Sequence, residues 1–108
     1  LTPEEVFYHD VEPELQKAAV AKLKHSATRI FTDEVVYEPW HEIECMYFFC
    51  EGDKALPLFI QQQLAAQLGP NAATYTTKAS HSPFLSELQD CVDGLEYAAK
   101  VGQEKARN

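Results

Sequence analysis

Residues 43–53 read Ile43-Glu44-Cys45-Met46-Tyr47-Phe48-Phe49-Cys50-Glu51-Gly52-Asp53. The second half of this run is apolar on both faces, aromatic and short, which is how a strand covered on both sides reads. Glu51-Gly52-Asp53 ends it as a turn. Pro57 then opens a helical pattern whose apolar stripe is Leu58, Phe59, Leu64, Ala65 and Leu68. Gly69-Pro70 stops that helix. Ala73-Thr74-Tyr75-Thr76-Thr77 reads as a second strand from its β-branched and aromatic content. A strand–helix–strand unit over 43–77 predicts parallel strands joined by a right-handed crossover.

On the N-terminal side, Asp10 is the expected N-cap of a helix over about residues 12–25, with Pro13 in the first turn. Leu15, Ala19 and Leu23 share one face, with Ala18 and Val20 alongside, and Lys22, Lys24 and His25 suit the C-terminal end of the helix dipole. Val35-Val36-Tyr37 is a short extended candidate, broken by Pro39. On the C-terminal side, Ser80-His81-Ser82-Pro83 is a loop. Ser86 with Gln89 three residues later fits a capping box. Leu88, Cys91, Val92, Leu95, Ala98 and Ala99 then recur at helical spacing, and the helix is expected to fray after Gly102. The order is helix, strand, helix, strand, helix.

Two parallel strands are too few for a stable sheet, which normally carries helices on both faces. The chain therefore reads as part of a larger α/β domain. Further strands are expected from an upstream segment, another chain or a symmetry mate. Leu1 rather than Met opens the chain, so a start further upstream is expected.

Composition narrows the function classes. The chain has 108 residues, 45% hydrophobic and 24% charged, with a formal net charge of -8. That is room for one small domain at most, and too apolar for a disordered tail. Nine Lys and Arg stand against seventeen Asp and Glu, with no basic cluster. Nucleic acid and anionic membrane surfaces are disfavoured as partners. There is no apolar run of about 18 residues and no secretory leader pattern. Cys45, Cys50 and Cys91 are an odd set without a C-x-x-C pair, which points to a reducing, cytoplasmic compartment. Glu51 beside Cys50 is expected to raise the thiol pKa, so Cys50 reads as core rather than as a nucleophile. His9-Asp10 and His41-Glu42-Ile43-Glu44 match no zinc spacing, and no metal or cofactor is expected.

Two polar residues stand out by position. Asp53 lies just past the C-terminal end of the first parallel strand and His81 just past the second, the edge where ligands bind in α/β sheets. Neighbouring strands lie about 4.8 Å apart, so a hydrogen bond between the two side chains is within reach. In such a pair the carboxylate fixes the imidazole tautomer. The imidazole takes a proton from a nucleophile and returns it to the leaving group. Gly-Asp turns and loop histidines are also common structural features, so position alone only nominates the pair.

The surrounding residues add a resemblance. Cys50-Glu51-Gly52-Asp53-Lys54-Ala55-Leu56-Pro57, with Gln61, resembles the segment around the acidic triad member of α/β-hydrolases, most closely the branch of plant methylesterases and hydroxynitrile lyases. Ala79-Ser80-His81-Ser82-Pro83-Phe84-Leu85-Ser86 resembles that branch's catalytic-histidine loop. Phe7-Tyr8-His9-Asp10 and the following helix look like the end of its lid, and Trp40-His41-Glu42-Ile43 resembles its lead-in to the strand carrying the acid. The resemblance implies a lid end over 1–30 and the C-terminal part of the hydrolase core over 31–108. It implies Asp53 as triad acid and His81 as triad base. The nucleophilic Ser of a G-x-S-x-G elbow should then precede Leu1 or sit in a companion chain. Gly52, Gly69, Gly94 and Gly102 form no such elbow. Hydroxynitrile lyases of this branch carry Lys directly after the histidine; here Ser82 stands there, which favours hydrolysis of small, fairly apolar esters or lactones. The alternative is a catalytically inert truncated relative that pairs its sheet edge with another copy or a partner, as a possible homo-oligomer.

Overall fold

The computed structural model describes residues 1–107. Its elements are α1 (Pro3–Phe7), α2 (Pro13–Ala21), β1 (Met46–Cys50), α3 (Leu58–Ala66), β2 (Ala73–Thr77), α4 (Pro83–Ser86) and α5 (Leu88–Ala106). Short 3₁₀ turns at Thr28–Phe31 and Pro39–His41 punctuate the connection from α2 to β1. The two strands pair in parallel, with Met46 opposite Ala73 and Cys50 opposite Thr77, as the strand–helix–strand reading predicts.

Side chains alternate across β1, and each face meets a different helix. Phe48 stacks on Tyr75 of β2, with ring centroids 5.6 Å apart, and faces α5. A Cβ at Gly94 would lie 2.6 Å from the Phe48 ring, so only glycine lets α5 come this close. Tyr47 and Phe49 point the other way, toward the side of α3, where Tyr47 borders a recess with Trp40, Leu64 and Leu68. The sheet is thus the middle of three layers. Gly69, at φ +99°, turns the chain out of α3 in the left-handed conformation that favours glycine.

Several local expectations are corrected. Asp10 does not cap α2; Glu12 does, its carboxylate accepting from the N–H groups of Glu14 and Leu15. The helix ends at Ala21, before Lys24 and His25. Val35-Val36-Tyr37 forms no strand, because no neighbouring strand offers it a ladder. Ser86 and Gln89 make no capping box: Ser86 closes α4 and Glu87 stands at the N-cap of α5. Helix α5 runs past Gly102 to Ala106, and Lys105 ties its end to the Glu44 carboxylate and the Asn71 carbonyl.

Packing is thin. Among the described residues, Val11, Cys50 and Ala79 are the buried hydrophobic ones. Phe59 and Leu64 of the expected α3 stripe are exposed, as are Leu88, Val92 and Leu95 of α5. The chain exposes 8181 Å², whereas a folded monomer of 12.2 kDa exposes about 6,100 Å². Its radius of gyration is 15.8 Å, against about 13 Å for a compact domain of this length. The larger surface includes the apolar side chains that α3 and α5 leave exposed.

Candidate active site

The C-terminal ends of β1 and β2 are stitched together beyond the sheet. The Glu51 N–H donates to the Thr77 carbonyl at 2.9 Å and the Gly52 N–H to the Ala79 carbonyl at 3.0 Å. This approach leaves no room for a side chain at residue 52, where a Cβ would lie 2.8 Å from the Lys78 carbonyl oxygen. Gly52 therefore sets how closely the two loops run. The next residue on one loop is Asp53, and two residues beyond Ala79 on the other is His81.

The structure brings Asp53 and His81 together. His81 Nδ1 lies 2.9 Å from Asp53 Oδ2. A carboxylate only accepts, so Nδ1 donates; in the neutral ring Nε2 then carries the lone pair. The other carboxylate oxygen, Oδ1, accepts from the N–H groups of Ala55 and Leu56, each at 2.8 Å. Asp53 is thus a turn residue and a histidine partner at once, with one oxygen given to each task. Its side chain is 6% exposed while that of His81 is 40% exposed. The acid is sheltered and the imidazole reaches open space, with the Phe7 ring against it at 5.2 Å between centroids.

Buried polar side chains that the sequence reading did not assign hold the two loops. Gln61 is 2% exposed. Its amide brackets the end of β1, accepting from the Cys50 N–H at 2.9 Å and donating to the Cys50 carbonyl at 2.9 Å and the Leu56 carbonyl at 2.8 Å. One side chain thereby spans both ends of the Asp53 loop. A signal existed: Gln61 sits three residues after Leu58 and four before Ala65, a polar residue on an apolar stripe. On the other loop, the buried Thr77 hydroxyl donates to Asp90 of α5 at 2.6 Å. Ser80, fully buried, donates its N–H to Asp10 Oδ2 at 2.8 Å and its hydroxyl to Oδ1. Burial pushes the Asp10 carboxyl up, but the Ser80 hydrogen bonds outweigh it and hold the group below its ordinary value. His9 Nε2 donates to the Gly52 carbonyl at 2.7 Å. No local pattern announces the His9 and Asp10 contacts, since the partners are 43 and 70 residues apart.

Cys50 is buried, and burial followed by the nearby Asp53 charge pushes its thiol up to about 11. The direction is the one expected, but the carboxylates acting on it are Asp53 and then Asp10, not Glu51. Among the described residues, no group of three or more His, Cys, Asp or Glu side chains is arranged to hold a metal ion. No helix of the described residues is long and apolar enough to cross a membrane.

No protein-family model matches the chain. A curated relative named alpha/beta hydrolase nvfD, from Aspergillus novofumigatus (strain IBT 16806), is 27% identical over 95 residues. The match covers 88% of this chain and 38% of the relative, so the chain spans well under half the length of the protein it resembles. The similarity supports kinship with the α/β-hydrolases, and the mixed architecture with its parallel strand pair fits the C-terminal portion of an α/β-hydrolase fold.

Proposed function

We propose that this chain supplies the acid and base of a serine hydrolase acting on small, fairly apolar carboxylic esters or lactones. The observation that carries the reading is the 2.9 Å contact between His81 Nδ1 and Asp53 Oδ2 at the C-terminal ends of adjacent parallel strands. The nucleophilic serine belongs to an upstream hydrolase half or a companion chain. Residues 1–30 then form the end of the lid and residues 31–108 the C-terminal part of the core.

The chemistry follows from the proton positions. His81 Nε2 takes the proton of the serine hydroxyl as its oxygen attacks the acyl carbonyl. Asp53 stabilises the imidazolium that forms, and the pair need not move, because Oδ1 is already anchored to two N–H groups. His81 then protonates the departing alkoxide, leaving an acyl-enzyme. Water enters, gives its proton to Nε2 and releases the acid, and the serine recovers its proton. A branch close to plant methylesterases fits this outcome. Ser82, which follows His81, is 4% exposed and uncharged, so it sets no lysine beside the leaving group in the manner of the hydroxynitrile lyases.

The test is turnover of p-nitrophenyl acetate by the naturally produced protein containing these 108 residues. His81→Ala is expected to lower kcat by about 10³-fold or more, since triad members act as a unit. A serine-directed phosphonate is expected to label the protein. Unchanged turnover in His81→Ala, or no labelling of the active preparation, overturns the reading.

A further inference from the structure

The turn between α1 and α2 reaches both loops of the candidate site through two adjacent residues. His9 holds the carbonyl of Gly52, the residue before Asp53, at 2.7 Å. Asp10 takes both donors of Ser80, the residue before His81: the N–H at 2.8 Å and the hydroxyl. Each prong grips the residue directly preceding one member of the pair. The two prongs leave neighbouring Cα atoms, about 3.8 Å apart across one planar peptide bond, so they belong to a single turn of chain. Val11, the next residue, is buried and seats the turn.

We infer that His9 and Asp10 are positioning residues: a two-pronged clamp from the N-terminal segment that sets the approach of His81 to Asp53. The inference rests on the reading of Asp53 and His81 as an acid–base pair, and it assigns the segment before α2 a part in that pair's geometry. The β1–β2 stitching at Glu51 and Gly52 fixes the loops where they leave the sheet, but it ends at Ala79. Ser80 and His81 lie beyond that last ladder bond. Besides the His81–Asp53 contact itself, the Asp10 carboxylate anchors this stretch, and Ser80 is held by it without exposed surface. The chemistry of the two prongs suits the task. Gly52 offers a carbonyl, which needs a donor, and the imidazole N–H supplies one. Ser80 offers two donors, which need two acceptors, and a carboxylate supplies both. Phe7, two residues before His9, closes the same segment over the His81 ring.

The experiment reads the hydrogen bond itself. The naturally produced protein is labelled with ¹⁵N-histidine, and the Nδ1–H proton of His81, shifted downfield by its carboxylate partner, is assigned by its loss in His81→Gln. Asp10→Ala and, as a milder second variant, His9→Ala are expected to abolish or broaden this signal while the amide resonances of β1 and β2 remain. Asp10→Asn and His9→Gln are expected to restore it. The asparagine amide accepts from the Ser80 N–H and donates to its hydroxyl, and the glutamine amide donates to the Gly52 carbonyl. Turnover in the alanine variants falls about tenfold to a hundredfold in kcat with KM little changed, the expected effect of a misplaced base. If the His81 signal persists unchanged in folded Asp10→Ala and His9→Ala, the clamp is refuted, and the residues serve stability alone. If the signal is lost but turnover is not, the clamp stands and the acid–base reading falls.

Discussion

Gln61→Glu exchanges one amide nitrogen for an oxygen and turns a buried clamp into a pH-dependent fault. In the parent, the side-chain nitrogen donates to the carbonyls of Cys50 and Leu56 while the oxygen accepts from the Cys50 N–H. An ionised carboxylate at this site keeps the accepted bond but sets lone pairs against two carbonyl oxygens. The folded state therefore holds the introduced carboxyl protonated, with its pKa raised above the unfolded value of about 4.3. The sign of the linkage follows. Below that value both states are protonated, and the variant loses only the donor it lacks, about 1–3 kcal/mol. Above it the folded state binds one proton more than the unfolded state. The deficit then grows by up to about 1.4 kcal/mol per pH unit until pH passes the raised folded value. Urea denaturation of parent and variant at about pH 4.5, 5.5 and 6.5 is expected to show the gap widening by up to about 2.7 kcal/mol across the series. Gln61→Met removes all three bonds without adding a titrating group, and should cost about 3 kcal/mol or more at every pH. Parallel stability profiles for Gln61→Glu and its parent would show that Gln61 does not bracket the end of β1 from a buried site.

Other expected outcomes come from close approach and from charge. Gly52→Ala places a Cβ 2.8 Å from the Lys78 carbonyl oxygen; because the obstacle is backbone, the loops must separate, and turnover should fall with stability in a thermal melt and a kinetic assay of the same preparation. Gly94→Ala gains helix propensity of about 1 kcal/mol but drives a methyl to 2.6 Å from the Phe48 ring. Overpacking of about 1–3 kcal/mol outweighs the gain, so the melting temperature should drop rather than rise. Cys50, buried and with its thiol pushed up to about 11, should alkylate last when iodoacetamide is added at about pH 8, where thiolate is the reactive form. Mass-mapped labelling that finds Cys50 ahead of the half-buried Cys45 contradicts that placement.

The strands and long helices were legible because they obey short-range rules. Met46–Cys50 is an aromatic run between a charged lead-in and a Gly turn, and Gly69 stops α3 by its backbone conformation. The pairing of Asp53 with His81 was legible for the same reason, since parallel strands bring their C-terminal ends side by side. The short helix α1 is not legible as a period. Thr2 and Glu5 form a capping box around Pro3 that opens α1, a signal present in the sequence but followed by too few residues to show a period. Asp10 reads as an N-cap because a carboxylate before a helix is normally spent on the helix, whereas in the fold Ser80 claims it from 70 residues away. Val35-Val36-Tyr37 has strand-forming residues without a strand beside it, and β propensity expresses itself only against a neighbour. In α5, the tie from Lys105 to Glu44 and Asn71 carries the helix beyond a glycine that local propensity would take as its end.

The surplus of exposed surface has a thermodynamic meaning. The difference between 8181 Å² and the area of a self-sufficient monomer is roughly 2,000 Å², within the range of obligate interfaces. Leu88, Val92 and Leu95 on one helix and Phe59 and Leu64 on another contribute to it, and each is solvated at a cost while it stays bare. Any polypeptide that covers those faces joins the unit's cooperative transition. With a cover in the same chain, the melting temperature is indifferent to protein concentration. With a cover in a second chain it rises with concentration by mass action, and the stability of these 108 residues ceases to be a property of these residues alone.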